Sequence, residues 1–320
     1  MSLIEINTES AVPLARPKIA VLLAAFNGMQ WIEEQLNSIQ SQIGVTVHIF
    51  ISDDSSTDGT GEWIKDYAKR HSNTTLAPPN EPCNGAARNF FHLIRYIDID
   101  KFDLIALSDQ DDNWHPEKLS RGARHLRLNG GHAYSSNVTA FWPDGRKQLL
   151  DKAQPQVRWD YYFEAAGPGC TYILEKKFAI HLQKQIQKNW VKLQKVTLHD
   201  WYIYATARSH GYSWHIDPMP SMSYRQHFKN QLGANVGIKS LTSRYKKIQT
   251  GWWLGQIKLI EQITGSGCIN VKRPDWKNLS RVDLLKLSVQ SHQCRRRIRD
   301  QWLFKILCVI TAIKGAKVNE

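Results

Sequence analysis

The chain has 320 residues, of which 42% are hydrophobic, 22% charged and 10% aromatic, as in a globular protein and unlike a disordered, collagenous or coiled-coil chain. No segment reaches the roughly 18 uninterrupted apolar residues of a spanning helix, and the N-terminus is not that of a secretory signal. The five cysteines show no C-x-x-C spacing, which favours free thiols over a disulfide or zinc framework. We therefore expect a cytoplasmic globular protein.

The charge is strongly positive and unevenly distributed. Lys and Arg number 42 against 29 Asp and Glu, which gives a net charge of +13. A surplus of this size suggests a polyanionic partner such as nucleic acid, an anionic membrane or a phosphate-rich ligand. The acids gather in short runs in the first part of the chain, whereas basic residues dominate from Lys286 onward. We expect an acidic front that carries the chemistry and a basic rear.

After a flexible lead-in over residues 1–17, three apolar runs predict strands that end in polar residues, at 18–27, 46–54 and 103–112. Helical spacing of apolar residues predicts helices between them, from Trp31, over 62–70 and after Gly85. Strands that alternate with helices predict an α/β fold with a doubly wound, mostly parallel sheet and helices on both faces. Ligands bind such sheets beyond the carboxyl ends of the strands, where all three runs deliver polar residues.

The second half is less regular. Residues 167–183 predict a Gly-rich loop, a short strand and a helix, and residues 198–211 predict a helix stopped by glycine. A strand is expected around 214–216, and a basic helical pattern covers 239–263. We expect residues 236–320 to form a basic helical C-terminal extension.

The sequence SDQDD at residues 108–112 follows the third strand. Its carboxylates, Asp109, Asp111 and Asp112, repel one another unless a cation or protons neutralise them. Oxygen ligands of this kind suit Mg²⁺ or Mn²⁺. A solvated acidic turn, or a helix N-cap at Asp112, is the alternative interpretation. Beside a second acidic strand end, the position favours a divalent metal site.

The second strand ends in SDDSSTDGT at residues 52–60. A carboxylate there, above all Asp54, is able to accept hydrogen bonds from a nucleobase imide or a ribose. Thr57 and Asp58 are good N-cap residues for the next helix, which is the simpler interpretation of those two.

The order of these motifs resembles that of family 2 glycosyltransferases with the GT-A fold, in particular bacterial rhamnosyltransferases of cell-surface polysaccharide synthesis. The matching segments cover 18–28, 33–42, 48–60, 84–94, 103–119, 167–174, 198–211 and 224–234. The resemblance implies a GT-A domain over 18–235, with a nucleotide-sugar half at about 18–115 and an acceptor half at about 116–235.

The resemblance also implies roles for single residues. Phe26 stands where the family usually has Tyr, which removes a hydroxyl and keeps the stacking surface. The donor-binding residues would be Ala24, Phe26, Asp54, Asn84, Arg88, Asn89, Asp109 and Arg225. The metal ligands would be Asp111, Asp112 and His227, with Asp200 as the general base. The acceptor-binding residues would be Gly169, Cys170, His199 and Trp201.

Several of these residues have a structural alternative. Trp201 is also a candidate for core packing, His227 for a structural role, and Gly169 and Cys170 for turn positions. Asp200 sits where acids also favour a helix N-terminus. A lone Cys170 without a partner His is weak evidence for a nucleophile.

The reaction implied is transfer of a sugar with inversion, because one base and one direct displacement suffice. The preferred donor is dTDP-rhamnose, with a UDP-linked hexose as the alternative, and the acceptor is a saccharide or lipid-linked saccharide. Nucleotidyl transfer would favour a basic loop after the first strand, and residues 24–35 carry no basic residue. A non-enzymatic basic binding protein is the third class, but an acidic sheet edge would repel phosphate, so no nucleic-acid partner is expected. G-x-G-x-x-G and P-loop motifs are absent from the sequence.

The segment 294–317 combines an Arg cluster with an apolar stretch that contains Trp302, Phe304 and Lys305. It is too short to span a bilayer and suits an interface with anionic headgroups. The alternative is a helix that packs on the catalytic domain. The first interpretation places the protein on the cytoplasmic face of the inner membrane.

Overall fold

A computed structural model describes residues 16–78, 82–83, 85–227, 251–264 and 280–314. Asn84 and almost all of the predicted lead-in lie outside these residues. Within them the strands are β1 (Lys18–Ala25), β2 (Thr46–Asp53), β3 (Thr74–Leu76), β4 (Leu104–Ser108), β5 (Asn113–Trp114), β6 (Ala133–Ser136), β7 (Val138–Phe141), β8 (Lys147–Leu150), β9 (Ile173–Glu175), β10 (Trp214–Asp217) and β11 (Met222–Arg225). The helices are α1 (Ile32–Gln40), α2 (Thr60–Arg70), α3 (Ala86–Tyr96), α4 (Lys118–Leu128), α5 (Lys176–Lys188), α6 (Trp190–Leu193), α7 (His199–Ser209), α8 (Trp252–Thr264), α9 (Arg281–Val289), α10 (Ser291–Cys294) and α11 (Ile298–Lys314).

The main sheet has the strand order β10-β6-β9-β4-β1-β2-β3. Strands β1 to β4 run parallel, whereas β9 is antiparallel to both β4 and β6. A second sheet has the order β5-β11-β7-β8. Ala25 lies beside Asp53, and Leu23 beside Ser108, so the carboxyl ends of β1, β2 and β4 meet at one edge. The predicted α/β fold with a mostly parallel sheet is confirmed.

Helices cover both faces of the main sheet, as the alternation of side chains along β1 requires. Ala20, Leu22 and Ala24 point into one core, which also contains buried residues of α3, α5 and α7. Ile19, Val21, Leu23 and Ala25 point into the other, with buried residues of α1, α2 and α4. A strand buried on both faces has a continuous apolar sequence, which explains the run that predicted β1.

Helix α2 follows the second acidic motif through a local capping arrangement. Gly59 adopts a left-handed φ of 92°, and the Asp58 carboxylate accepts the backbone N–H of Thr60 at 3.1 Å. The N-cap position is Gly59, so Asp58 precedes the N-cap and binds the first residue of the helix, which corrects its assignment as the N-cap itself.

The described part of the C-terminal region is helical, as predicted. Leu254 on α8, Leu284 on α9 and Phe304 on α11 belong to the same core as α3, α5 and α7. Helix α11 therefore packs on the catalytic domain through one of its faces. None of the described helices is both long enough and apolar enough to cross a membrane.

A buried ion-pair network joins this region to the domain. Arg296 has 5% of its surface exposed, and its guanidinium contacts Asp160 at 3.2 Å. The same guanidinium donates to the carbonyl of Ala165 at 2.7 Å. Asp160 also accepts hydrogen bonds from Tyr204 at 2.7 Å and Arg208 at 3.1 Å. The C-terminal helices are thus an integral part of the fold.

Candidate active site

The loops that follow β1 and β2 are joined by side-chain hydrogen bonds. Asn27, in the left-handed region at φ 47°, donates its N–H to Ser56 Oγ at 2.8 Å and accepts the N–H of Thr57 at 2.8 Å. The N–H of Gly28 donates to Thr60 Oγ1 at 2.9 Å. The joined loops form a fixed platform, from which Phe26 projects with 54% of its surface exposed.

Gln110, which the sequence reasoning did not single out, joins this platform to the acidic loop. Its Oε1 accepts the N–H of Phe26 and its Nε2 donates to the Phe26 carbonyl, each at 2.7 Å. A Cβ at Gly28 would collide with the Gln110 amide, which explains the glycine there. The sequence signal was the Gln within SDQDD together with Asn-Gly after β1. Gln110 fixes the position of the Phe26 backbone relative to the carboxylates.

Three predicted donor-binding residues, Asp54, Arg88 and Asn89, bind backbone groups at Cys83, at Gly85 and at the strand ends. The Asp54 carboxylate, 8% exposed, accepts the N–H groups of Cys83 at 2.5 Å and Gly85 at 3.2 Å. Arg88 donates to the carbonyl of Gln194 at 2.8 Å. Asn89, 1% exposed, donates to the carbonyls of Ala25 and Ser52. Asn89 therefore lies beneath the edge as a positioning residue, which corrects the expectation of a direct donor contact.

Asp109, Asp111 and Asp112, here called the acidic cluster, lie at the end of β4. Burial, and then the charge of Asp111, raise the pKa of Asp109 to about 7. Burial, followed by the charges of Asp111 and Asp109, also raises the pKa of Asp112 well above its ordinary value. Asp112 is buried and Asp109 half-buried, so these two carboxylates resist full ionisation unless a cation joins them.

The acidic cluster fits a divalent cation. Asp112 Oδ2 is buried and has no hydrogen-bond partner among the described residues. Ligand atoms of Asp109, Asp112 and Cys170 lie within 4.8 Å of one another. Asp111 Oδ2 lies 2.8 Å from His227 Nε2, so two of the predicted ligands are in contact, whereas the ligand atoms grouped with Asp112 are those of Asp109 and Cys170. An orphaned carboxylate oxygen beside further oxygen donors is the ligand set that Mg²⁺ or Mn²⁺ prefers.

The position of His227 depends on a residue from the first half. Its ring stacks on Trp31, which precedes α1, with ring centroids 4.0 Å apart and planes 15° apart. Trp31 was assigned from its spacing to the apolar face of a helix. Its ring also orients the imidazole toward Asp111.

A second group of candidate ligands, His125, His215 and Asp217, lies on α4 and β10. The Asp217 carboxylate already accepts two hydrogen bonds from Arg121, at 2.6 and 3.0 Å, and one from Tyr134 at 2.9 Å. These bonds occupy both oxygens, so Asp217 forms a structural ion pair and the acidic cluster is the better cation site.

Lys118 is a second residue that the sequence reasoning missed. Only 1% exposed, it donates to the Cys170 carbonyl at 2.8 Å and lies 3.4 Å from the centre of the Trp114 ring. Burial lowers its pKa to about 7, while Cys170, Asp112 and Asp109 act to raise it. Trp114, 2% exposed, is a core residue. A buried ammonium behind the acidic cluster offsets part of its charge.

Arg225 on β11 also lies at the acidic cluster. Its N–H donates to Asp112 Oδ1 at 3.2 Å, and its Nε donates to the Asp111 carbonyl at 3.0 Å. Its guanidinium forms an ion pair with Glu34 at 2.5 Å. The second sheet therefore brings Arg225 beside the predicted metal ligands.

Asp200 lies in the first turn of α7, close enough to Asp109 for its charge to raise the Asp109 pKa. Burial raises the pKa of Asp200 itself to about 6. Two smaller effects act to lower this pKa: a hydrogen bond from the Trp201 N–H at 2.7 Å and the positive charge of Lys152. A carboxylate with this pKa is ionised at pH 7 and a stronger base than an exposed Asp.

His199 and Gly169 are in contact beside Asp200. A Cβ at Gly169 would collide with the His199 ring, so the close approach requires glycine. Burial lowers the pKa of His199 to about 3, which keeps its imidazole neutral, and its ring lies 4.1 Å from that of Phe90.

Two predicted acceptor-binding residues face the protein interior. Trp201, 4% exposed, packs in the core and its indole N–H donates to the Tyr161 carbonyl at 3.0 Å. Cys170 is fully buried behind the acidic cluster, and burial and the charges of Asp112 and Asp109 raise its thiol pKa. The acceptor-binding expectation is corrected for both, and Cys170 is no thiolate nucleophile at neutral pH.

The comparisons with known proteins agree with this geometry. Residues 20–188 match the family model described as Glycosyl transferase family 2. Over 239 residues the chain is 44% identical to dTDP-rhamnosyl transferase RfbG of Shigella flexneri, which covers 74% of this chain and 83% of that protein.

Two solved structures of S. aureus TarS 1-349 share the fold. The complex with UDP has a TM-score of 0.54 at 13% identity and covers 93% of this chain and 92% of that one. The complex with UDP-GlcNAc has a TM-score of 0.54 at 13% identity, and the match covers 92% of this chain and 81% of that one. At this identity the likeness concerns the fold alone.

Proposed function

This chain belongs to glycosyltransferase family 2, and we propose that it transfers L-rhamnose from dTDP-rhamnose to a saccharide hydroxyl in polysaccharide synthesis. The observation that carries the proposal is the proximity of the acidic cluster to Asp200, a half-buried carboxylate whose pKa is raised to about 6. The choice of donor rests on the 44% identical dTDP-rhamnosyl transferase.

Asp200 acts as the general base. An acceptor hydroxyl is a poor nucleophile near neutral pH, so a carboxylate must remove its proton as the oxygen attacks. The new bond forms between the acceptor oxygen and the anomeric carbon of the donor, while the bond from that carbon to the diphosphate oxygen breaks. The Asp200 carboxylate receives the proton and dTDP leaves. A single displacement inverts the configuration of the anomeric carbon.

The acidic cluster would hold a divalent cation, Mg²⁺ or Mn²⁺, at the donor diphosphate. Asp111, Asp112 and His227 would be its ligands, and the Asp112 oxygen without a partner among the described residues supports this assignment. When bound, the cation neutralises the charge that develops on the leaving diphosphate. Arg225, beside the same carboxylates, contributes a further positive group to that end of the donor.

The platform after β1 and β2 binds the nucleotide. The exposed Phe26 ring stacks on the base, next to Ala24, and Asp54 keeps the loop at 82–85 in place. Asn84 and Arg88 contact the ribose or the diphosphate, and Asp109 contacts the ribose or the sugar. A UDP-linked hexose is the second candidate donor, because a phenyl ring stacks equally well on uracil and thymine.

The acceptor approaches past Gly169 and His199, which lie against each other beside Asp200. The neutral imidazole of His199 packs against Gly169, where its Nε2 is buried and has no partner among the described residues, so its part is to shape the acceptor side of the site. We expect the acceptor to be a saccharide or lipid-linked saccharide, and the reaction to take place in the cytoplasm.

Calorimetric titration of the purified protein with dTDP, UDP and GDP, with and without Mn²⁺, tests the proposal. We expect Mn²⁺-dependent binding of dTDP, lost in Asp111→Ala and retained in the control Asp144→Ala, whose carboxylate is 61% exposed between β7 and β8. Preferential binding of UDP would replace the donor by a UDP-hexose. Binding of none of the three nucleotides would contradict the proposal.

The reaction itself is tested with dTDP-rhamnose and a saccharide acceptor. Release of dTDP with an inverted linkage is the expected result. Release of pyrophosphate would instead identify a nucleotidyltransferase.

A further inference from the structure

Helix α11 is apolar on two opposite faces. Phe304, Cys308 and Ala312, spaced by four residues, are buried in the core. Trp302 and Ile306, on the opposite face, are 61% and 52% exposed. Apolar side chains that line up on one face of a helix are normally covered, whereas here the outer apolar face is open within the described residues.

Helix α9, which packs against α11, repeats this pattern. Leu284 and Leu287 are buried, whereas Val282, Leu285 and Val289 are 59%, 46% and 74% exposed. Seven of the fifteen exposed large hydrophobic residues in the described part of the chain lie on α9 and α11. We call their exposed apolar side chains the α9–α11 surface: Val282, Leu285, Val289, Ile298, Trp302, Ile306 and Ile313. Such a concentration on two neighbouring helices is typical of an interaction site.

The charged groups beside this surface are cationic. Arg281, Lys286, Arg299 and Lys305 are exposed on the same two helices. The Lys305 ammonium lies 5.1 Å from the centre of the Trp302 ring. The acids of these helices are engaged locally: Asp283 closes a capping box with Ser280, and the buried Asp300 is paired with Arg295 and Arg299. The accessible charge is therefore positive.

We propose that the α9–α11 surface docks on an anionic lipid membrane, with its apolar side chains among the acyl chains and its Lys and Arg residues at the headgroups. Apolar residues flanked by Lys and Arg, with Trp at the boundary, suit the interface of an anionic bilayer. A second copy of the chain fits less well, because a symmetric contact would bring the same cations face to face. The docking is peripheral, since none of the described helices qualifies as a membrane span.

The contacts between this surface and the catalytic domain would orient the active site relative to the membrane. Arg296, just before α11, donates to the Ala165 carbonyl at 2.7 Å. The N–H of the next residue, Ala166, donates to Tyr172 Oη at 3.1 Å, and that hydroxyl donates to the Asp200 carbonyl at 3.3 Å. A short chain of contacts therefore joins the surface to the acceptor side of the site. The membrane would hold the domain in one orientation toward an acceptor carried on a lipid.

Vesicle flotation tests the proposal, with phosphatidylcholine vesicles that contain or lack phosphatidylglycerol. We expect binding to the anionic vesicles, lost in the double variant Trp302→Gln, Ile306→Gln. The matched control is Val191→Gln on α6, where an exposed valine (81%) lies outside the surface. The double variant Arg299→Gln, Lys305→Gln should weaken binding about thirtyfold, at about 1 kcal/mol for each cation.

Folding and catalysis are measured on the same variants by thermal unfolding and by transfer to a soluble acceptor. Both should be unchanged, so a failure of docking is distinguishable from a failure of the transferase proposal. Absence of vesicle binding by the unaltered chain, or full binding by Trp302→Gln, Ile306→Gln, would overturn the inference. A dimer in sedimentation that the same double variant dissociates would also overturn it, by assigning the surface to a second copy.

Discussion

The acidic cluster and the Arg296 network each contain a fully buried carboxylate, Asp112 and Asp160, and they differ in how well that charge is paired. Asp160 accepts hydrogen bonds from Tyr204, Arg208 and Arg296. Asp112 lies beside two other carboxylates and keeps one oxygen without a partner among the described residues. Burial acts to raise the pKa of both, but for Asp160 the charges of Arg208 and Arg296 oppose it.

The paired carboxylate contributes to stability, whereas the carboxylates of the acidic cluster are suited to binding a cation. A buried carboxylate that is paired on all sides stabilises the fold only as a unit, and loss of one partner leaves a bare charge. A buried carboxylate beside others of like charge is a cost in the isolated protein, which a cationic ligand removes. The C-terminal helices depend on the first arrangement, and the candidate active site depends on the second.

Asp200→Asn should produce the largest effect. The amide keeps the shape of the side chain and is no base, so turnover should fall by about 10²–10⁴-fold. Binding of dTDP should change little, because Asp200 receives the acceptor proton rather than the nucleotide. Steady-state rates and calorimetry measure the two quantities. Near-normal turnover would remove Asp200 from the role of base.

Arg296→Met should lower the free energy of unfolding by about 3–5 kcal/mol, because it leaves Asp160 buried with a missing partner. The matched control is Arg299→Met, since the Arg299 side chain is 70% exposed and its loss should cost less than about 0.5 kcal/mol. Denaturant unfolding compares the two variants. Equal values would show that the Arg296 network does not hold the C-terminal helices.

In the absence of metal, Asp112→Asn should stabilise the protein, whereas Arg296→Met destabilises it. Removal of one buried charge from the acidic cluster should raise the free energy of unfolding by about 1–3 kcal/mol in chelator. The stabilisation by added Mn²⁺ should disappear. The control is Asp58→Asn: burial acts to raise the Asp58 pKa, but hydrogen bonds from Thr60 and Met29 lower it overall, so this change should destabilise. If Asp112→Asn destabilised the protein as Asp58→Asn does, the charge of Asp112 would not be a cost in the metal-free protein, and the contrast with the Arg296 network would be wrong.

The rate should depend on pH through Asp200. Protonation removes the base, so turnover should fall as the pH decreases through about 6 and be roughly tenfold lower at pH 5. The Lys152 charge lowers the Asp200 pKa, so Lys152→Met should move this limb to higher pH. If the rate fell only near pH 4, the pKa of Asp200 would not be raised during turnover.

Gln110→Ala should have the smallest effect. Loss of the two hydrogen bonds to the Phe26 backbone should raise the KM for the donor about fivefold, while kcat stays nearly constant. Gln110→Glu keeps the bond from the Phe26 N–H and should be intermediate. A change confined to kcat would indicate that Gln110 acts on the acidic cluster instead.

Much of the main sheet was predictable from the sequence. Strands β1 and β4 are parallel strands buried along nearly their whole length, and such strands have long apolar runs; β2 is parallel and half-buried. The second sheet was not predicted, because its strands have two to four residues and no periodicity can be read over so few. Its arrangement matters, since β11 brings Arg225 to the acidic cluster.

The residues of the site divide in the same way. The acids at the strand ends were predictable, because parallel strands deliver their carboxyl ends to one edge. The roles of Gln110 and Lys118 were not, since each depends on a contact with a distant segment. For Trp201 the sequence left core packing and acceptor binding open, because α7 is buried on nearly all sides and its sequence has no polar face to show which residues point inward.

The sequence by itself determined the sheet edge, its carboxylates and the membership of the family, because these follow from local patterns and from the order of motifs. The tertiary structure decided which charges are paired. Pairing depends on the distances between segments far apart in the chain: Arg296 meets Asp160 across 136 residues, and His227 meets Asp111 across 116. It also decided that α11 buries one apolar face and leaves the other open, which no helical period in the sequence distinguishes.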